Sequence, residues 1–138
     1  MLFRSEFVDA AALASVEADG TLVRPGSGAV AVVQDKALQK ELLRDHGLPV
    51  PRYEVARAPG ELAAIGRDLG WPLVLKSRKL GYDGYGNATC TTPAEAVAEF
   101  ERLDRGTGVL VEEFVSFERE LAVMVRSEER RVGKECRL

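Results

Sequence analysis

From Tyr53 onward the apolar and polar positions fall into short alternating or continuous blocks, which predict the order strand, helix, strand, strand, helix, strand, strand. Tyr53-Glu54-Val55-Ala56 alternates with the two-residue period of a half-buried strand. Pro59 to Leu69 predicts a helix, with Pro59 suited to its first turn and Gly70 to its stop. Leu73-Val74-Leu75 is an apolar run with a β-branched centre, the mark of a buried strand, and it delivers Lys76 into a segment that holds Gly81, Gly84 and Gly86. A second strand is predicted over Asn87 to Thr91, which makes the whole a hairpin with a glycine-rich loop. Thr92, Pro93 and Glu95 supply the cap, the first-turn proline and the N3 glutamate of a helix through Leu103. Val109-Leu110-Val111 reads as another buried strand, and Glu120 to Val125 as one more. The fold class this predicts is α+β, with helices on one face of a mainly antiparallel sheet.

The residues before Tyr53 carry a different pattern. Phe7 to Ala18 predicts a helix with Asp9 as its N-cap and Gly20 at its end; Thr21-Leu22-Val23 is a short strand candidate, followed by a turn over Arg24 to Gly28. Ser27 is placed to cap a second helix over Ala29 to Val33. Gln34 to Gly47 predicts a third, with Asp35 as N-cap, Leu38, Leu42 and Leu43 on one apolar face, and Gly47 at C′. His46, the single histidine, falls in its last turn, where a cation complements the helix dipole, so its role is read as structural. Leu48-Pro49-Val50-Pro51 is extended by its prolines and reads as the connector into a new subdomain. Helix, strand, helix is what the tail of an α/β sheet domain supplies.

Composition narrows the function classes. A chain of 138 residues, 46% hydrophobic and 30% charged, has an ordinary globular composition of about one domain. It holds neither an apolar run of about eighteen residues nor a signal pattern, so no membrane span is expected and the cytoplasm is the default location. Cys90 and Cys136 are too few and too far apart for a disulfide scaffold or a zinc site. The net charge of -3 offers no basic surface for nucleic acid. Residues 1–5 and 126–138 resemble translations of sequencing-adapter oligonucleotides. Six of the 19 Lys/Arg and three of the 22 Asp/Glu lie there, so the remainder carries -6. The expected division is an end of an N-terminal α/β domain with its linking helix over 6–47 and a central subdomain over 48–125, both belonging to a longer protein.

Two stretches carry chemistry. Glycines let backbone N–H groups approach anionic oxygens, and Lys76 can supply a point charge to a phosphate, worth roughly 4 kcal/mol at about 4 Å before desolvation is subtracted. The lysine precedes the glycines, which excludes the P-loop order, and Gly81-x-x-Gly84-x-Gly86 reverses the dinucleotide spacing. The second stretch runs from the Val109 strand into Glu112 and Glu113, then Phe114 and Val115, and on to Glu120. Backbone groups there can pair with an adenine edge while a carboxylate accepts ribose hydroxyls. Each stretch alone also fits a plainer description, a glycine-rich hairpin with an exposed lysine and a solvated acidic turn.

Taken together, these residues resemble the ATP-grasp superfamily and, within it, the family of 5-(carboxyamino)imidazole ribonucleotide synthases. The resemblance rests on Arg24-Pro25, Gln34-Asp35-Lys36 with Gln39-Lys40, Leu48-Pro49-Val50-Pro51, Val74-Leu75-Lys76-Ser77-Arg78, Gly81-Tyr82-Asp83-Gly84-Tyr85-Gly86-Asn87, and Val111-Glu112-Glu113-Phe114-Val115 with Glu118-Arg119-Glu120. It implies that Lys36 and Lys76 contact ATP phosphates, and that Gly81, Tyr82, Asp83, Gly84, Tyr85, Gly86 and Asn87 form a lid, Asn87 standing where Gln is more usual. It also implies that Glu112, Glu113, Phe114 and Val115 line the adenine pocket and that Glu120 holds the ribose. The roles of Tyr82, Asp83 and Arg78 are less defined.

The implied reaction uses ATP and bicarbonate to make carboxyphosphate, whose carboxyl passes to the amine of 5-aminoimidazole ribonucleotide, with Mg2+ bridging the phosphates. The magnesium carboxylates and much of the substrate pocket are expected downstream of Val125 and the catalytic groups outside this chain, so the chain alone is expected to be inactive, and the full-length protein to be a homodimer. The alternatives that stay open are another ATP-grasp ligase, of the formate-dependent glycinamide ribonucleotide transformylase or biotin carboxylase type, and a non-catalytic nucleotide-binding module.

Overall fold

The structure, a computed structural model, describes residues 8–79, 81 and 85–123. Three helices come first: α1 (Ala10–Ala18), α2 (Ser27–Gln34) and α3 (Lys36–Asp45). Then follow β1 (Tyr53–Ala56), a 3-10 turn (Pro59–Glu61) leading into α4 (Leu62–Leu69), β2 (Leu73–Ser77), β3 (Asn87–Cys90), α5 (Pro93–Leu103) and β4 (Val109–Glu113).

Caps set most of the helix starts. Asp9 accepts the Ala11 N–H at 2.8 Å, and Thr92 accepts the Glu95 N–H at 3.3 Å while Glu95 reaches back to the Thr91 N–H at 2.8 Å. Ser27 departs from its expected capping role. It is the first residue of α2, and its N–H and hydroxyl both donate to the Glu17 carboxylate at the end of α1. Ser27 thus becomes a capped residue instead of a cap: a side chain from the preceding helix satisfies its own N–H, one of the orphan donors of α2, and the Ser27 hydrogen bonds hold the Glu17 carboxyl below its usual range.

The four strands form one sheet in the order β1-β4-β2-β3, every pair antiparallel. The last strand in sequence thus sits inside, paired with β1 on one side (Tyr53 opposite Glu112) and β2 on the other (Val74 opposite Glu112). Leu73, Leu75, Val109 and Val111 project from one face into a core closed by Leu62 and Leu69 of α4 and by Ala96, Phe100 and Leu103 of α5. Ser77 shares that face and is satisfied there, its hydroxyl donating to the Leu103 carbonyl at 2.8 Å. Gly108 opens β4 in the left-handed region at φ 82°, and a Cβ there would lie 2.7 Å from the Ala56 carbonyl, so the turn requires glycine twice over.

Two strand expectations are corrected. Thr21-Leu22-Val23 is a link between α1 and α2, and Glu120 to Val123 have no strand structure; Met124 and Val125 lie outside the described residues. A strand exists only with a ladder partner, and among the described residues neither segment pairs with the sheet, whose order ends at β1 and β3. The α3 expectation also needs revision: Leu42 and Leu43 are exposed, and the residue this helix buries is Ala37.

Candidate functional site

The opposite face of the sheet carries the other half of the alternation. Lys76 stands opposite Leu110 and Val74 opposite Glu112, so Lys76 and Glu112 are diagonal neighbours on one surface. Lys76 Nζ donates to Glu112 Oε2 at 2.9 Å. Helix α3 lies over this surface, bringing Lys40 Nζ to 3.1 Å from Glu112 Oε1 and the Arg44 guanidinium over the Tyr53 ring at 5.7 Å. The Glu112 side chain is 5% exposed, and its Oε1 is close to the Lys40 amine without hydrogen-bond geometry. One buried carboxylate therefore lies between two amines.

A third amine closes the group. Lys36, the first residue of α3, donates from Nζ to the Ser77 carbonyl at 3.1 Å. Burial pushes its ammonium toward neutrality and the nearby Lys76 charge adds to this, against the opposing pull of Glu112 and Asp35. Three amines facing one carboxylate leave the cleft with an excess of positive charge. Its volume is about 330 Å³, walled by Lys36, Gln39, Lys40 and Leu43 from α3 and by Lys76, Gly81, Gly86, Asn87 and Glu112 from the sheet and hairpin.

The hairpin wall is backbone because its two limbs touch. Ser77 N–H donates to the Gly86 carbonyl at 2.8 Å, and a Cβ on Gly86 would fall 2.7 Å from Gly81 Cα. A Cβ on Gly81 would in turn sit 3.2 Å from Lys36 Nζ, inside the space the amine needs. From the outside, Arg102 of α5 donates to the carbonyls of Tyr85 at 2.7 Å and Asn87 at 3.2 Å. At the base of the hairpin, Asp35 takes the Arg78 guanidinium on both oxygens, at 2.7 and 2.9 Å from Nε. Burial pushes the Asp35 carboxyl up, but Arg78 and the N–H groups of Ala37 and Leu38 outweigh it and hold the carboxyl below its usual value.

Of the residues singled out from sequence, Lys36, Lys76, Gly81, Gly86, Asn87 and Glu112 converge on this cleft. Tyr82, Asp83 and Gly84 lie outside the described residues. Tyr85 is exposed, and its carbonyl accepts from Arg102. The Glu113 side chain turns to the other edge of β4, where Arg52 donates to it from its backbone N at 2.8 Å and from Nε at 2.9 Å. The Arg52 N–H first, and then its guanidinium, hold the Glu113 carboxyl below the ordinary range. Phe114 and Val115 are exposed beyond the end of β4, and Glu120 is exposed and does not line the cleft.

Gln39 and Lys40, quoted above for the resemblance but given no role, and Leu43, not singled out as a site residue, also line the cleft. The signal available was the spacing 36, 40, 43, which puts Lys36, Lys40 and Leu43 on one helical face. Among the described residues no group of three or more His, Cys, Asp or Glu side chains converges to hold a metal ion, and no helix is long and apolar enough to cross a membrane.

An antiparallel sheet with a glycine hairpin over a lysine cleft is the architecture of a known family. The ATP-grasp domain model matches residues 41–136, and the chain belongs to that family. Its relatives include an N5-carboxyaminoimidazole ribonucleotide synthase of Synechococcus elongatus, 42% identical over 123 residues, a match that covers 89% of this chain and 31% of that protein. The carboxyaminoimidazole ribonucleotide synthase of Aspergillus clavatus solved in complex with ATP superposes with a TM-score of 0.73 at 34% identity, covering 82% of this chain and 30% of that one. The same fungal enzyme in complex with ADP and 5-aminoimidazole ribonucleotide gives a TM-score of 0.69 at 31% identity, covering 82% and 29%. The chain thus spans about a third of the length of the relatives it matches.

Proposed function

We propose that this chain is the nucleotide-holding part of an ATP-dependent ligase that carboxylates 5-aminoimidazole ribonucleotide with bicarbonate. The observation that carries the reading is the cleft itself, where the amines of Lys36, Lys40 and Lys76 face a wall formed in part by Gly81 and Gly86, and a Cβ on Gly81 would crowd the Lys36 amine. Such a cleft suits a triphosphate, because charged donors and backbone approach are both present and one carboxylate leaves the charge positive. The chain's likeness to synthases of this kind, one solved with ATP and one with ADP and the aminoimidazole ribonucleotide, supports the choice of substrate.

In the proposed reaction a bicarbonate oxygen attacks the γ-phosphorus of ATP, the bond to the β-phosphate oxygen breaks, and ADP leaves. The amine of the ribonucleotide then takes the carboxyl carbon from carboxyphosphate and releases phosphate. The residues here bind and orient: Lys36 and Lys76 hold phosphate oxygens, the hairpin from Gly81 to Asn87 covers them, and the backbone from Glu113 to Val115 meets the adenine edge with Glu112 beneath it. Glu120 is assigned to the ribose. Magnesium, which in such enzymes offsets phosphate charge, finds no set of ligands among the described residues, and none of these steps runs through it. The remaining assignments are a cytoplasmic location, a homodimer of the full-length protein, and the division at residues 47 and 125.

The test is an ATP titration of the 138-residue chain followed by calorimetry, with Lys36→Met and Lys76→Met beside it. Binding that each variant weakens is the expected result, and equal heats for all three chains would overturn the assignment. Turnover belongs to the full-length gene, assayed with 5-aminoimidazole ribonucleotide, glycinamide ribonucleotide with formate, and biotin. Only the first is expected to release ADP.

A further inference from the structure

The Asp35–Arg78 pair has no place among the ligand contacts assigned above, yet Asp35 is 1% exposed, less than any other charged residue described. A buried carboxylate is costly to desolvate and persists only with strong partners. Every partner of Asp35 lies at one junction. Its Oδ1 accepts the Ala37 N–H at 3.0 Å, both oxygens take Arg78 Nε, and Lys79 Nζ stands 3.8 Å from Oδ2. Two more bonds close the same junction: the Lys36 N–H donates to the Arg78 carbonyl at 3.0 Å, and Lys36 Nζ donates to the Ser77 carbonyl at 3.1 Å.

Lys36 is therefore tied at its backbone and at its amine to the two residues where β2 ends, while its neighbour Asp35 grips the side chain of one of them. The first turn of α3 cannot slide or rotate over the hairpin without separating a buried carboxylate from its guanidinium. We propose that Asp35 and Arg78 are a positioning pair that acts through Lys36, fixing the first turn of α3 to the end of β2 so that the Lys36 amine meets a nucleotide phosphate beside Gly81. This rests on the cleft being the nucleotide site.

The charge environment of Lys36 gives the pair a signature that a purely structural contact lacks. Its amine feels Asp35, the cap of α3, Lys76 of β2 and Glu112 of β4, and shares the cleft with Lys40 of α3, while Arg78 and Lys79 stand on the far side of Asp35 as its ion-pair partners. Asp35 and Glu112 are the two groups that oppose its loss of a proton. Neutralising Asp35 should therefore let Lys36 deprotonate at a lower pH.

Asp35→Asn suits the test because asparagine caps a helix as well as aspartate, so α3 keeps its start. In the 138-residue chain the variant is expected to weaken ATP binding about tenfold, whereas in a Lys36→Met background it should change affinity by less than about twofold, the non-additivity of residues that act as a unit. Equal losses in both backgrounds, with the wild type binding ATP, would overturn the pairing and leave the nucleotide assignment standing. A second readout needs no nucleotide: the pH titration of the Lys36 side-chain carbon next to the amine, followed by NMR. Its midpoint should fall in Asp35→Asn, and an unchanged midpoint sinks the inference. If the wild type binds no ATP the functional reading fails, and the NMR midpoint alone decides whether Asp35 governs Lys36.

Discussion

On β2, Leu73, Leu75 and Ser77 turn toward α4 and α5 while Val74 and Lys76 turn toward α3; on β4, Val109 and Val111 go one way and Leu110 and Glu112 the other. The first surface is apolar, its one hydroxyl satisfied, and closed by Phe100 and Leu103. The second holds a buried glutamate under two lysines, with a third at its rim. Residues one apart in sequence thus have separate tasks, one set holding the sheet together and the other presenting charge. A slip of one residue in the pairing would exchange the two faces, which is why the apolar side also fixes the geometry of the charged side.

Leu75→Ala should produce the largest effect if this partition is right. The side chain is fully buried on the apolar face, so its truncation is expected to cost about 2–5 kcal/mol, read from urea unfolding, without altering the ATP affinity of the protein that remains folded. Lys76→Met probes the other face. ATP affinity should fall at least about tenfold, which is about 1.4 kcal/mol. Stability should also drop, because Glu112 loses a partner, and adding Glu112→Gln should restore much of that stability without restoring binding. A variant pair with the opposite outcome, binding lost at Leu75 and kept at Lys76, would break the comparison outright.

Acid should separate the faces next. The folded-state value of the Asp35 carboxyl lies below its unfolded value, so its contribution is complete above the ordinary carboxylate range and is lost as pH falls through the folded value. The wild-type urea midpoint should therefore drop below about pH 4, and Asp35→Asn should show a smaller drop. Arg102→Met is expected to do least. It removes contacts to the Tyr85 and Asn87 carbonyls and an exposed pair with Glu99, worth less than about 1 kcal/mol by thermal unfolding.

Much of this architecture is legible in the residues themselves. The strand at Tyr53 follows from period-two patterning, those at Leu73 and Val109 from short apolar runs, and the helix starts at Asp9, Asp35 and Thr92 from capping chemistry, because these signals are local. What the sequence conceals depends on how elements lie against one another. Leu42 and Leu43 suggest an apolar underside for α3, yet both are exposed, Leu43 at the rim of the cleft, and the helix turns Lys40 to the sheet, since the surface it meets carries Glu112. Ser27 loses its expected role to Glu17, ten residues earlier, and Arg78 finds Asp35 across 43 residues. Glu120 to Val123 have the composition of a strand but pair with none of the four strands among the described residues. Propensity marks which segments can form a ladder, and only the assembled sheet decides which do.

The strand order has a consequence for how the protein is made. Because β4 lies between β1 and β2, the sheet has no centre until Val109 to Glu113 have been synthesised, and Tyr53 must wait for Glu112, the residue opposite it. Pairings so distant along the chain are slow to close, so on the ribosome the first strand should stay unpaired until the fourth emerges, with the β2–β3 hairpin as the earliest piece of sheet able to form.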